Sequence, residues 1–354
     1  MKTPLRAAIV AVAAVATLAF ANAALAANTG SIAVWHDPMV LAGSKSTTIH
    51  IKLPETSDPI AALNIFTGAG YGVTLGQAAG TTIGSVEATA LSRDNNLTLP
   101  LSGTVTTDDP AKHTTDVCSP GSNAAVWNLN LSVAGQTLVV PLYVNPTSGA
   151  AQALGGYNLK VCLPPPDVPV GTPGRAFQGA QVLDAKFTVN GIFTTPTGGG
   201  LVKWESLFTP YNPGKGTPNP AGTFEARALA PLPIILGIHA SYKKKTATWQ
   251  LNGRLTEGGL AVPANTLVVV YKGTSSTVLR KVATAKVNAA GNWSVSGKLK
   301  PKKTTFFQIN AVVGERDYTA QGCANPVTAV APAGCVSASL SPWNVKSAVV
   351  RVKP

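Results

Sequence analysis

The chain has 354 residues, a formal net charge of +13, 34 Gly and 27 Pro. That length is too great for one ordinary core and points to about two domains. No convincing run carries apolar residues at helical spacing, whereas Val, Thr, Ile and Tyr dominate the segments between glycines and prolines, which favours strands over helices and leads to an all-β fold as the expectation.

Residues 1–26 have the build of a secretory signal. Lys2 and Arg6 supply the positive start, Ala7 to Phe20 the apolar stretch and Ala24-Leu25-Ala26 the small-residue cleavage site. Asn22 and the alanine-rich, weakly apolar composition favour cleavage over a membrane anchor, and no Cys lies near the site to take a lipid. The expected address is therefore secreted or extracellular, with no membrane span after cleavage.

Past that point the first clear strand alternates Ile49, Ile51 and Leu53 against Thr48, His50 and Lys52. Leu53-Pro54-Glu55-Thr56 resembles the start of a sortase anchoring signal, but Ser57 stands where Gly is required and no apolar tail follows. Gly68-Ala69-Gly70-Tyr71-Gly72 lacks the third glycine and the following helix of a dinucleotide site. Asp94-Asn95-Asn96, Asp108-Asp109 and Asp116 put oxygen donors in loops, yet their spacing matches no calcium loop and such residues are also good turn formers.

Trp127, Leu129, Leu131 and Val133 alternate with Asn128, Asn130 and Ser132, and Ala134-Gly135 then reads as a tight hairpin into Leu138 to Val144. Asn190-Gly191 reads as a second hairpin, because that pair accepts positive φ at both turn positions. Between them Pro164 to Gly179 is a long loop or a sub-domain joint near residue 165. Residues 27–229 are thus expected to form a large antiparallel β-sandwich.

Four cysteines in an exported chain read as two disulfides. Three pairings are possible; locality favours Cys118 with Cys162 and Cys323 with Cys335. No Cys-x-x-Cys or paired histidine accompanies them, so neither a metal nor a cofactor is expected. Catalytic signatures are absent too. No Gly-x-Ser-x-Gly elbow or His-Glu-x-x-His occurs, and the best acid pair for glycoside hydrolysis is Glu205 and Glu225, on adjacent predicted strands. Alternation places both on wet faces, beside Lys203 and Arg227, where cross-strand ion pairing explains them.

Ala228 to Pro233 has the composition of a linker, and Pro231 and Pro233 disfavour continuous strand pairing. The charge changes there as well. Residues 230–354 hold 12 Lys and 4 Arg against Glu257, Glu315 and Asp317, a balance of +13, whereas residues 27–229 balance at −2. A second domain is expected over 230–354. Its predicted strands are Ala247 to Asn252, Leu267 to Tyr271, Val278 to Val287, Trp293 to Leu299, Thr305 to Val313 and a last one near Ser347 to Val352, a spacing that suits a Greek-key sandwich.

Asn252-Gly253-Arg254-Leu255, Ala261-Val262-Pro263 and Ala290-Gly291-Asn292-Trp293-Ser294-Val295 carry a turn-and-strand rhythm. On these residues the stretch 232–320 resembles bacterial immunoglobulin-like and carboxypeptidase-regulatory-like β-sandwich modules. The resemblance implies a spacer, adhesive unit or stalk of an exported protein and no chemistry. The N-terminal region is similar in style to uncharacterised exported proteins of Gram-positive bacteria.

Basic residues of this module group as Lys243-Lys244-Lys245, Arg280-Lys281 and Lys298, Lys300, Lys302 and Lys303. On the strand ending at Leu299, Lys298 and Lys300 face away from Trp293, Val295 and Leu299, so they point outward. Outward lysines serve solubility or bind a polyanion such as a cell-wall phosphate polymer. Stacking aromatics are not interleaved with them, which argues against specific nucleic-acid binding. The expected function is that of a non-enzymatic envelope protein held by its basic module to an anionic polymer or another envelope protein. The alternative is carbohydrate binding or hydrolysis on an N-terminal face carrying Glu205, Glu225 and exposed Trp204 or Tyr211.

Overall fold

The computed structural model describes residues 28–37, 41–133, 135–198, 200–257, 260–299, 303–314, 316–319, 337–340 and 343–353. The expected signal, the Cys323 and Cys335 pair and Gly258-Gly259 lie outside them. Among the described residues the chain is all-β and antiparallel, with short 3-10 turns and no α-helix.

The first region supplies β1 (Ser31–Asp37), β2 (Ser44–Lys52), β3 (Ile60–Phe66), β4 (Gly72–Val73), β5 (Thr82–Ser92), β6 (Leu97–Asp108), β7 (Ala125–Val133), β8 (Gln136–Pro146), β9 (Tyr157–Cys162), β10 (Ala180–Thr194), β11 (Gly200–Pro210) and β12 (Phe224–Lys243). They form one continuous sheet in the order β1-β2-β10-β5-β6-β7-β8-β9-β3-β11-β12, with β4 on β10. The sheet rolls up, because β1 returns to lie against β12. Register explains what fills it. Ala185 stands between Ile51 and Ala88, Leu131 opposite Leu138, Leu142 opposite Val161, and Phe208 between Leu63 and Phe224. With a side-chain period of two, each such row faces inward, and the rows merge into a single core.

One expectation changes here. Asn190-Gly191 is not a hairpin: β10 runs through it as one strand, Gly191 takes φ +69°, and the register against β2 shifts between Asn190 and Thr194. A glycine in the left-handed region suits a bulge as well as a turn, and bulging lets one strand bend without reversing. The stretch after β9 is a loop leading into β10, and both strands belong to the same sheet and core.

The Ala228 to Pro233 stretch also differs, since it lies inside β12. Residues up to Leu232 pair with β11, and from Pro233 onward the partner is β13 (Thr248–Glu257). Pro231 and Pro233 are two apart, so both missing N–H groups face one edge, and they bracket the place where β12 changes partner. Proline is tolerated in a strand where no ladder bond is required of it. The change of core falls nearby: the first core ends at Ala230, and the second begins at Trp249, with Ile238 packed against it.

That second core is a two-sheet sandwich. The latter half of β12 pairs with β13, which also carries β14 (Leu260–Ala261) and β17 (Asn292–Lys298). Facing it, β15 (Leu267–Gly273) lies between β16 (Arg280–Lys286) and β18 (Thr305–Val313), and β18 also pairs with β21 (Trp343–Lys346) and β22 (Val350–Val352). The separate ribbon of β19 (Arg316–Thr319) and β20 (Ser337–Leu340) completes the described strands. Trp249 of β13 and Phe307 of β18 join the sheets, their ring centroids 4.8 Å apart.

Candidate functional site

Four of the basic residues, Lys243, Lys244, Lys245 and Lys298, come together at one corner of the second sandwich. β12 ends on Lys243, a 3-10 turn spans Lys244–Thr246, and Ala247 reverses the chain in the left-handed region at φ +48°. Across the turn, Lys298 pairs with Thr248 in the β13–β17 ladder. Its Nζ donates to the Thr246 carbonyl at 3.0 Å, Leu299 N donates to the Ala247 carbonyl at 2.9 Å, and the Trp249 indole donates to the Lys298 carbonyl at 3.0 Å. Lys243, Lys244, Lys245 and Lys298 are all exposed. A second group stands on β15 and β16, where Arg280 lies directly opposite Lys272 and Lys281 opposite Tyr271. Like charges directly opposite oppose pairing. Lys303 is exposed ahead of β18, and Lys300 and Lys302 lie outside the described residues.

Among the described residues no ion pair involves these cations; every one falls between His50 and Arg227. Lys298 donates there to a neutral backbone carbonyl, which leaves its charge uncompensated.

The paired acids behave differently from expectation. Glu205 is 3% exposed and not on a wet face; Trp204 and Phe208 fill the inner side of β11, while on the outer side Glu205 stands between Phe66 of β3 and Arg227 of β12. Alternation assigns a side chain to one face of a sheet but does not reveal what covers that face. Lys203 Nζ bonds to Glu205 Oε2 and Arg227 Nε to Glu225 Oε1. Burial pushes the Glu205 carboxyl up, but the bonds with Lys203 and Glu225 and the fields of Lys203 and Arg227 outweigh it and hold it below its ordinary value. A retaining glycosidase needs its two carboxyl groups about 5 to 5.5 Å apart across an open cleft. Here each is held by a basic neighbour on its own strand, and Glu205 is covered. Trp204 is fully buried, and Tyr211 is 6% exposed with its hydroxyl bonded to the Leu163 carbonyl at 2.5 Å, so neither serves as a sugar-stacking platform.

The loop acids are also engaged. Arg175 holds Asp94 through both carboxylate oxygens, at 2.9 and 2.5 Å, which lowers the Asp94 pKa. His113, which sequence reasoning passed over, sits between two carboxylates: Nδ1 is 2.7 Å from Asp116 Oδ2 and Nε2 is 3.2 Å from Asp108 Oδ2. Tyr143 donates to Asp116 at 2.6 Å and Asn128 to Asp108 at 2.9 Å. The group pins residues 109–124 over β7 and β8, and Cys118 is bonded to Cys162 at the end of β9, with Cα atoms 5.8 Å apart. Among the described residues no cluster of three or more His, Cys, Asp or Glu is arranged to hold a metal ion.

This cluster makes stability depend on pH. Burial opposes the charged His113, but its bonds to Asp116 and Asp108 win and raise its pKa above 6.5. Asp116 is lowered, chiefly by its bonds from Tyr143 and His113; Asp108 is lowered because those from Asp109 N, Asn128 and His113 outweigh its burial. A raised His contribution is complete below the unfolded value near 6.5 and fades as pH climbs through the folded one; the Asp contributions are complete above about 3.8 and fade toward acid. The cluster's contribution is therefore complete between about pH 4 and 6.5, and because the buried, neutral His36 costs stability as pH falls below 6.5, the melting temperature should be highest near pH 6.5. His113→Gln should remove the decline on the alkaline side, and a parallel pair of melting curves from pH 6 to 9 would contradict this.

Deeper inside, His36 bonds Thr47 Oγ1 at 2.9 Å and the Tyr71 hydroxyl at 2.5 Å, and burial pushes its pKa down to about 4. It is a satisfied neutral core histidine. His50, on the outer face of β2, meets Asp184 at 2.8 Å.

Comparison with known proteins adds two distant likenesses. No family model matches the chain, and no curated protein matches it. Domains D2 and D3 of the major pilin SpaD from Corynebacterium diphtheriae align over 79% of this chain and 81% of that one, at 13% identity and a TM-score of 0.23. A tetra-tandem repeat from the extending region of a large adhesion protein aligns over 90% of this chain and 99% of that one, at 10% identity and a TM-score of 0.20. At such values neither likeness carries weight, and the all-β antiparallel architecture rests on the strand pairing itself.

Proposed function

We propose that this is an exported, non-enzymatic interaction protein whose C-terminal sandwich binds an anionic polymer of the cell envelope. The observation that carries the proposal is the seat of Lys298 on the Lys243–Lys245 turn, four exposed cations at one corner with no ion pair to them among the described residues. A merely solubilising surface intersperses both signs. The disulfide between Cys118 and Cys162 supports an oxidising, extracellular setting. The ion-paired glutamates and the buried Trp204 and Tyr211 weigh against the carbohydrate reading. Replacing Lys243, Lys244, Lys245 and Lys298 together by Gln should weaken binding to polyphosphate by about tenfold or more at low salt. The circular dichroism spectrum should be unchanged, since these side chains are exposed. Undiminished binding would remove this corner from the site.

A further inference from the structure

The rolled sheet is filled unevenly. Near Tyr71 the interior is packed with rings: Trp204 meets Tyr71 edge-on at 5.0 Å and Phe193 at 5.4 Å, and Phe193 meets Trp127 at 6.2 Å. Elsewhere the inward positions carry alanine, notably Ala88 and Ala90 on β5 and Ala185 on β10, where their neighbours carry Leu, Ile and Phe. Alanine has no reach beyond Cβ, so the facing walls do not meet. They leave an apolar cavity of about 200 Å³, with Leu101, Leu131, Phe187 and Phe208 among its walls.

The size and lining select the occupant. A dry apolar cavity of about 150 Å³ already takes up a small hydrocarbon, whereas drug-sized ligands need about 300 Å³ or more. A single aliphatic chain fits between these limits. The mouth is apolar as well, with Phe177 43% and Leu138 38% exposed on the cavity's edge. Beside it, cavity-lining Gln181 is buried, donates to the Ser57 carbonyl at 3.0 Å, and accepts from Arg93 Nε at 2.9 Å. Arg93, exposed and outside the lining itself, is therefore tied to a cavity-lining residue through a neutral amide, while Arg175 is taken up by Asp94.

We propose that this cavity binds a fatty acid, with its alkyl chain between the alanine-lined walls and its carboxylate on the Arg93 guanidinium. Calorimetry on the purified protein with decanoate should show saturable one-to-one binding below the micelle concentration. Ala88→Leu combined with Ala185→Leu should weaken it about tenfold or more by filling the space. Arg93→Gln should weaken decanoate about tenfold and leave decanol unchanged, because only the acid has a charge to pair. In the unaltered protein, the terminal methyl of decanoate should give nuclear Overhauser contacts to the rings of Phe187 or Phe208. That readout holds even if the filled variant fails to fold. Absence of saturable binding or of those contacts overturns the cavity assignment, as does a folded filled variant that binds as the parent does. Equal losses for decanoate and decanol overturn the role of Arg93.

Discussion

Replacing Cys118 and Cys162 together by Ala will cost about 4 kcal/mol of unfolding free energy, the value expected in the chain-entropy model for a 44-residue separation. The bond does more than close a loop. It fixes residues 109–124 to the end of β9, the same segment that Asp108, His113, Asp116 and Tyr143 hold from the other side. Reductant should lower the urea midpoint of the parent further than that of the double variant, by about the effect of the substitution, because the expected Cys323–Cys335 bond is common to both. A loss below about 1 kcal/mol would mean that the polar cluster alone orders the loop and that the bond constrains the unfolded chain little.

Trp204→Ala will be as damaging, at about 3 to 5 kcal/mol, the range for emptying a large aromatic site. Trp204 is fully buried, with Tyr71 and Phe193 edge-on against it and Val202 and Ser206 to either side on the inner face of β11. The surrounding rings are themselves held, Tyr71 by His36 and Phe193 by Trp127, so the cavity has little freedom to collapse. Trp204→Phe should cost markedly less, since it keeps the inner ring. Urea unfolding of the two variants measures the difference, and equal losses would show that volume at this site is not what matters.

How far such features were legible in the sequence depends on the range over which each is decided. Alternation in Ile49 to Leu53, in Trp127 to Val133 and in Trp249 to Leu251 is local, and the strands there follow it. Locality in the sequence favours pairing Cys118 with Cys162, and the two are bonded. The continuity of β12 across Pro231 and Pro233 was hidden, because a proline's cost depends on whether a partner strand asks for its N–H, and that is settled by sheet order. The same holds for Gly191, whose positive φ fits a hairpin or a bulge until the neighbouring strand is known.

Site residues divide in the same way. The outward direction of Lys298 could be read from parity with Trp293 and Leu299, but its seat on the Lys243–Lys245 turn follows from the β13–β17 register. Glu205 shows the reverse, a correct strand with the wrong exposure. The alanines of the cavity left a signal that went unused: Ala88, Ala90 and Ala185 occupy core-facing positions in strands whose other inward residues are large.

The polyanion-binding role is tested most directly by a salt titration of the unaltered protein against polyphosphate. Exposed charges act over a Debye length of about 10 Å at 0.1 M salt, and that reach shortens as salt rises. If the unpaired lysine corner is the binding surface, affinity will fall steeply from about 0.05 to 0.3 M sodium chloride while the fold is unchanged. Affinity that stays flat across that range, or no binding even at the lowest salt, would show the charge to be a solvated surface and nothing more.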